Sequence, residues 1–241
     1  MMRTLRLKLR LAAVGVLLVH AAGAADAGTP DPGFVEMPRV VAPKVLDTLP
    51  PDRLQLLKNA YPDSKAAGAI EPAASTLAPA ASHGTTAARD LAARYPAAQR
   101  AQIERTFNDS LAAYRQIEAK LGIPGNDVAG AVAAFVAGSY MAYRDVDVPD
   151  DLFKRLADQL RGVLAANRAF TQASAAEKRD IYEQLAIVGT FMAVTRLALK
   201  QQPPDAAVAA NFRQTAKANL EQFLKTDADR VVIDDRGLVI R

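Results

Sequence analysis

The stretch NDVAGAVAAFVAGSYMAY, Asn126–Tyr143, carries no charge after Asp127 and is rich in Ala, Gly and Val rather than Leu and Ile. Three readings compete for it: a membrane span, a packed core helix, or the floor of a site. Val128 to Tyr143 is sixteen residues. As a helix that is about 24 Å, short of the roughly 30 Å hydrocarbon core of a bilayer. Gly130, Ala134, Gly138 and Ala142 recur every four residues and make a ridge free of large side chains, along which a second helix can come close. Val128, Val132, Phe135, Val136 and Met141 cover the other faces. A helix that is apolar all round is buried, so the stretch is expected to be the central helix of a bundle. Small-residue ridges also serve packing inside membranes, so the ridge alone does not separate the two. Gly130, Ala134 and Gly138 are expected to face the long helix near Val188–Val194, where Gly189 and Ala193 supply a matching ridge.

The neighbouring segments have helical period. From Pro96, Ile103, Phe107, Ser110, Tyr114, Ile117 and Leu121 recur at spacings of three and four, with Leu111 widening the apolar face. GIPGND breaks that helix, and Asn126 or Asp127 can cap the next. Leu152, Leu156, Leu160, Val163 and Leu164 share one face of a further helix. Ser174 with Glu177 forms a capping box ahead of Ile181, Leu185, Val188, Met192 and Leu199. Pro203 and Pro204 open a fifth helix. In RVVIDDRGLVIR, two short β-branched runs flank Asp-Asp-Arg-Gly, the pattern of a small hairpin. The fold class is therefore all-α: a bundle of about five helices, with a small C-terminal β-hairpin and a flexible Pro/Ala-rich N-terminal arm.

Ahead of the bundle the chain changes character. Arg3, Arg6, Lys8 and Arg10 precede an apolar run from Leu11 to Val19, followed by small residues with cleavage sites near Ala24 or Ala25. This is the pattern of a signal peptide over 1–25, and it predicts a periplasmic or secreted protein. Ten of the fourteen prolines lie between Pro30 and Pro96. Residues 26–95 therefore read as an arm and linker, with one short amphipathic helix near 51–60 carrying Leu54 and Leu57, and Tyr61 just beyond. The helical domain is expected over 96–241.

Composition narrows the chemistry. The chain has 30 Lys+Arg against 26 Asp+Glu, and four of the basic residues precede Asp26, so the processed chain holds 26 of each. No basic excess remains to recruit nucleic acid. There is no Cys, which excludes disulfides, thiol nucleophiles and thiolate metal sites. Only His83 follows the leader, so His-based triads and metal centres lack their usual parts. No Walker loop, dinucleotide fingerprint or nucleophile elbow is present. The acids Asp145, Asp147, Asp150 and Asp151 do not match a calcium loop: the position that needs glycine is Asp150, and the closing carboxylate position is Leu156. They read as a solvated loop at the positive end of a helix. The remaining candidates for ligand binding are Ser139, Tyr140, Tyr143 and Arg196. The first three sit on the apolar helix. Arg196 interrupts an apolar run and is expected to snorkel or to pair with an acid. No catalytic residue, metal or cofactor is assigned.

The leader, the Ala/Pro linker, the GIPGNDV turn, the small-residue helix ending in Ser139-Tyr140 and the closing DDRGLVI together resemble uncharacterised families of exported proteobacterial helical proteins. The resemblance covers roughly Ala101 to Ile240 and implies no activity. The reading is thus a non-enzymatic exported helical protein that binds an envelope protein partner, without nucleic acid and without a stable membrane span once the leader is removed. Two alternatives stand beside it. One is a membrane-active protein that inserts Val128–Tyr143 and Leu185–Leu199. The other is a carboxylate-based envelope hydrolase such as a glycosidase.

Overall fold

The computed structural model describes residues 75–80, 86–202 and 204–241. The leader, the helix expected near 51–60 and His83 lie outside the described residues. Helices α1 (Ala87–Ala92), α2 (Ala97–Leu121), α3 (Val128–Arg144), α4 (Asp150–Ala165), α5 (Arg168–Gln172), α6 (Ala175–Gln201) and α7 (Ala206–Leu224) are followed by a 3₁₀ turn at Ala228–Arg230. The chain then forms β1 (Val231–Asp234) and β2 (Gly237–Ile240). The five long helices and the antiparallel hairpin are the elements expected from sequence.

Local chemistry sets the boundaries. Gly122 ends α2 at φ 67°, with its own N–H on Ala119 O and the Ile123 N–H on Glu118 O, the paired bonds of a Schellman motif. The Asp127 carboxylate accepts from Ala129 N and starts α3. Asn167 and Asp205 cap α5 and α7 through their side chains. Ser174 and Glu177 close the capping box of α6.

Helix α3 is the hub, with every residue from Val128 to Ser139 buried. It packs on α6, α4 and α7, and meets α2 through Gly130 and Tyr114. A Cβ on Gly138 would collide with the Gly189 carbonyl, and one on Gly189 with the backbone of Ala134 and Phe135. Further along, Asp145 meets Arg196 and Lys200, so α3 and α6 run in the same direction. The ridge therefore packs as expected at Ala134 and Gly138. Gly130 does not share it: a Cβ there would lie 2.7 Å from Tyr114 Oη and 3.0 Å from Ile123 Cγ2. At 100° per residue Gly130 has rotated away from α6 toward α2. Ala193 is half-buried and the seam is made at Gly189.

The hairpin pairs Val231 with Ile240 and Ile233 with Leu238. It docks on α4, where the Gln159 amide accepts from Leu238 N at 2.7 Å and donates to Leu238 O at 3.0 Å. A lone two-stranded hairpin is marginal in water, and this side chain extends its ladder by one rung.

The bundle starts earlier than position 96. Within the arm and linker expected over 26–95, residues 75–80 and α1 pack on the helices, with Thr76, Ala78, Leu91 and Tyr95 buried. Alanine gives a segment the composition of a linker but is also the best helix former. Ala87, Ala88, Leu91 and Ala92 give α1 a buried face, and just beyond it the Tyr95 ring meets Phe107 edge-on at 6.1 Å.

Candidate functional site

The strongest concentration of buried polar groups lies at the start of α3. Asp127 is wholly buried. Its Oδ1 accepts from Ala129 N at 3.1 Å and from Thr76 Oγ1 at 2.6 Å. Its Oδ2 accepts from Arg161 Nη2 at 2.6 Å and Nε at 3.2 Å. One carboxylate thus ties together the cap of α3, helix α4 and the strap Thr76–Ala78. The strap is completed by Ala78 N on Asn126 O and Val128 N on Thr76 O, a single bridge between Leu77 and Asp127. Asn126 at φ 62° turns the chain into this position, a conformation that asparagine tolerates better than most residues.

Beside it stands Glu118 of α2, 2 % exposed. Tyr182 of α6 donates to its Oε2 at 2.8 Å, and the backbone N–H groups of Asn126 and Asp127 face the carboxyl. Tyr114, one turn earlier on α2, is also wholly buried, with its hydroxyl unpartnered. The Tyr114 and Tyr182 rings meet at 6.0 Å, edge to face. Burial pushes the Glu118 carboxyl up to about 7, with the Asp127 charge adding to the rise, although the Tyr182 hydrogen bond and the backbone N–H groups of Asn126 and Asp127 oppose it. Burial, reinforced by the Glu118 charge, pushes both tyrosines far above their ordinary value. They serve here as neutral hydroxyls. The arrangement can hold a proton on Glu118 near neutrality; with Glu118 at 2 % exposure and Asp127 at zero, it offers no carboxylate pair to a sugar.

A second polar group closes the other end of α3. Tyr143 donates to Asp229 Oδ1 at 2.6 Å, and Arg144 to Asp229 O at 2.6 Å. Three cations surround the Tyr143 ring: Arg144 at 5.3 Å, Arg213 at 5.5 Å and Lys217 at 5.8 Å. The hydrogen bond to Asp229 and partial burial raise the Tyr143 hydroxyl, and the same bond lowers Asp229. Arg196, 3 % exposed, reaches Asp145 at 2.9 Å and Asp147 at 2.6 Å. Lys200 and Arg196 together hold Asp145 below the ordinary carboxylate range.

The four residues singled out from sequence do not converge. Ser139 is wholly buried with an unpartnered hydroxyl, on the face of α3 between Phe135, which meets Phe223 of α7, and Tyr143. Tyr140 is half-buried against the core. Tyr143 is tied to Asp229, and Arg196 pairs with Asp145 and Asp147 just past the end of α3, as its position suggested. Among the described residues no group of three or more His, Asp or Glu could hold a metal. Asp145 and Asp147 take Arg196, and Asp150 takes Lys120 at 3.1 Å. No helix among the described residues is long and apolar enough to cross a membrane.

Sequence reasoning missed Glu118, Tyr114, Tyr182, Thr76 and Arg161 as one group. A signal was available for Glu118. It stands four residues after Tyr114 and three before Leu121, so a carboxylate falls on the apolar stripe of α2. Thr76, 51 residues before Asp127, gave no such signal.

No curated protein and no solved structure matches the chain. A family model matches the chain from residue 45, ahead of the described helices, so the family unit reaches back past the strap and beyond the span from Ala101 suggested by the motifs. With residues 45–241 matched, the chain belongs to the family of unknown function DUF6683.

Proposed function

We propose that the chain is an exported, non-enzymatic helical protein that binds a protein partner of the cell envelope. One observation carries the reading. Arg196 grips Asp145 and Asp147, which brings Val146, between the two acids, and Leu197, next to Arg196, to one corner of the molecule. These two side chains are 39 % and 42 % exposed, two of the three exposed large apolar side chains among the described residues. An apolar centre with a charged rim of Asp145, Asp147 and Lys200 has the composition of a protein contact. The polar side chains buried inside the bundle support the same view, since they join one element to another rather than facing solvent. The leader pattern suits export.

The test is photo-crosslinking in cells that make the protein at native level, with the probe at position 146, 197 or 176. Position 176 is exposed at the far end of α6. The expected result is a discrete adduct from 146 and 197 and none from 176. The reading fails if the first two positions give no adduct, or the same adducts as the control.

A further inference from the structure

We propose that the partner at the Val146–Leu197 corner presents an Asp or Glu side chain, whose carboxylate displaces Asp147 from Arg196 and fills both N–H groups at the end of the guanidinium. The inference rests on the reading of that corner as a protein contact.

Arg196 is buried, yet its donors are only partly used. Nε donates to Asp145 Oδ1 and Nη1 to Asp147 Oδ1, one oxygen from each acid. Nη2 is buried and has no hydrogen-bond partner among the described residues. A planar guanidinium offers two parallel N–H groups at its end, and these match the two oxygens of a single carboxylate. The end of Arg196 is therefore half filled. Its two acids differ in how firmly they are placed. Asp145 is fixed by a left-handed backbone at φ 54° and by Lys200 at 3.0 Å. Among the described residues Asp147 pairs with Arg196 alone, and its side chain is 77 % exposed. Asp147 can turn into water without becoming a buried unpaired charge.

The vacancy selects the chemistry of the partner. A buried donor without an acceptor is a cost that a suitable acceptor removes. Exchange of Asp147 for another carboxylate keeps Arg196 compensated and fills Nη2 as well. A basic group would instead compete with Arg196 for Asp147 and leave Nη2 empty. The apolar pair identifies the source of the carboxylate. Val146 and Leu197 are each exposed by more than a third, so they form an open surface rather than a slot for a chain end. The acid is then a side chain on a facing surface, with apolar neighbours that cover Val146 and Leu197. Once covered, the new pair lies away from water, where a charge-assisted hydrogen bond is stronger than the exposed one it replaces.

The test measures the yield of the adducts from photo-crosslinking probes at 146 and at 197, in cells that make each variant at native level. Asp147→Asn weakens the group that occupies Arg196 and should raise the yield by about fivefold, the step between a neutral and a charge-assisted hydrogen bond. Asp151→Asn removes the same charge from the first turn of α4, away from the acids that Arg196 holds, and should leave the yield unchanged. Arg196→Lys keeps the charge but loses the paired donors, and should lower the yield by about fivefold or more. A fall or no change in Asp147→Asn overturns the inference, as does an equal rise in Asp151→Asn or an unchanged yield in Arg196→Lys. If Arg196→Lys does not fold, the comparison of Asp147→Asn with Asp151→Asn decides. In each of these outcomes the corner remains a protein contact. Absence of any adduct from 146 and 197 in the unaltered protein removes that reading, and the inference with it.

Discussion

Gly189→Ala adds one methyl group at the point where α3 and α6 run closest, and its cost can be worked from the contacts. The new Cβ would overlap the carbonyl of Ala134 and the amide nitrogen of Phe135. These are main-chain atoms inside a helix and cannot rotate aside. Restoring ordinary contact, at 3.4 Å or more, requires the helices to part by about 1 Å. A gap of about 0.5–1 Å already forfeits roughly a quarter to a half of each dispersion contact it opens. Overpacking of this kind costs about 1–3 kcal/mol, and a rigid backbone neighbour puts this case at the upper end. Alanine returns about 1 kcal/mol through helix propensity. The net loss is about 2 kcal/mol, or a melting temperature lower by about 4–8 °C for a domain of this size. Gly162→Ala is the internal control. It lies in α4 with nothing within 4 Å of its would-be Cβ, so only the propensity gain remains and its melting temperature should rise. Thermal unfolding followed by circular dichroism measures both. If Gly189→Ala stabilises the protein as Gly162→Ala does, α3 and α6 are not in backbone contact and the central seam is misassigned.

Other outcomes follow from the polar contacts. The native state keeps a proton on Glu118 that the unfolded chain has lost, because burial holds the carboxyl at about 7 against 4.5. Stability should therefore fall as pH rises from about 4.5 to 7, by up to about 3 kcal/mol, and then level, and urea titrations of Glu118→Gln should lose that decline. Asp127→Ala removes a helix cap and leaves Arg161, a third exposed, with Asp158 alone, for a loss of about 1–3 kcal/mol. Asp127→Asn retains a capping oxygen and should lie between it and wild type in the same titration. Gln159→Ala leaves Leu238 N and O without their partners. The cost is about 1–3 kcal/mol, and the Leu238 amide should lose protection in hydrogen exchange while α6 keeps its own.

The fold was legible wherever packing obeys periodicity. Ser174 with Glu177, Asp127 before the Ala-rich run and the β-branched pairs around Asp-Asp-Arg-Gly each act within a few residues, and each forms the element expected of it. The resemblance carried by GIPGNDV was likewise legible, and its residues prove to be backbone punctuation: a helix stop at Gly122, a positive φ at Asn126 and a cap at Asp127. What was not legible depends on distance. Leu91 and Tyr95 look like linker residues until Phe107 and α6 are in place. Gly130 belongs to the small ridge in sequence, yet the four-residue repeat drifts around a helix of 3.6 residues per turn and turns it toward Tyr114. The polar group at the start of α3 draws on four separate segments, and only the charge of Glu118 on an apolar stripe betrays it in one dimension.

The clamp on the last turn of α3 also has a meaning in time. Tyr143 and Arg144 are held by Asp229, Asp145 by Arg196, and the face of α4 by Leu238. Each partner is made 51 to 86 residues after the group it holds. The central helix is therefore synthesised long before anything can close its far end, and it must wait, apolar on all sides, for segments still to come. Contacts of such long sequence separation slow folding, and an apolar helix left waiting is the kind of surface that aggregates or recruits a chaperone. Residues 228–240 are thus less an ornament on the bundle than the event that ends its vulnerable period.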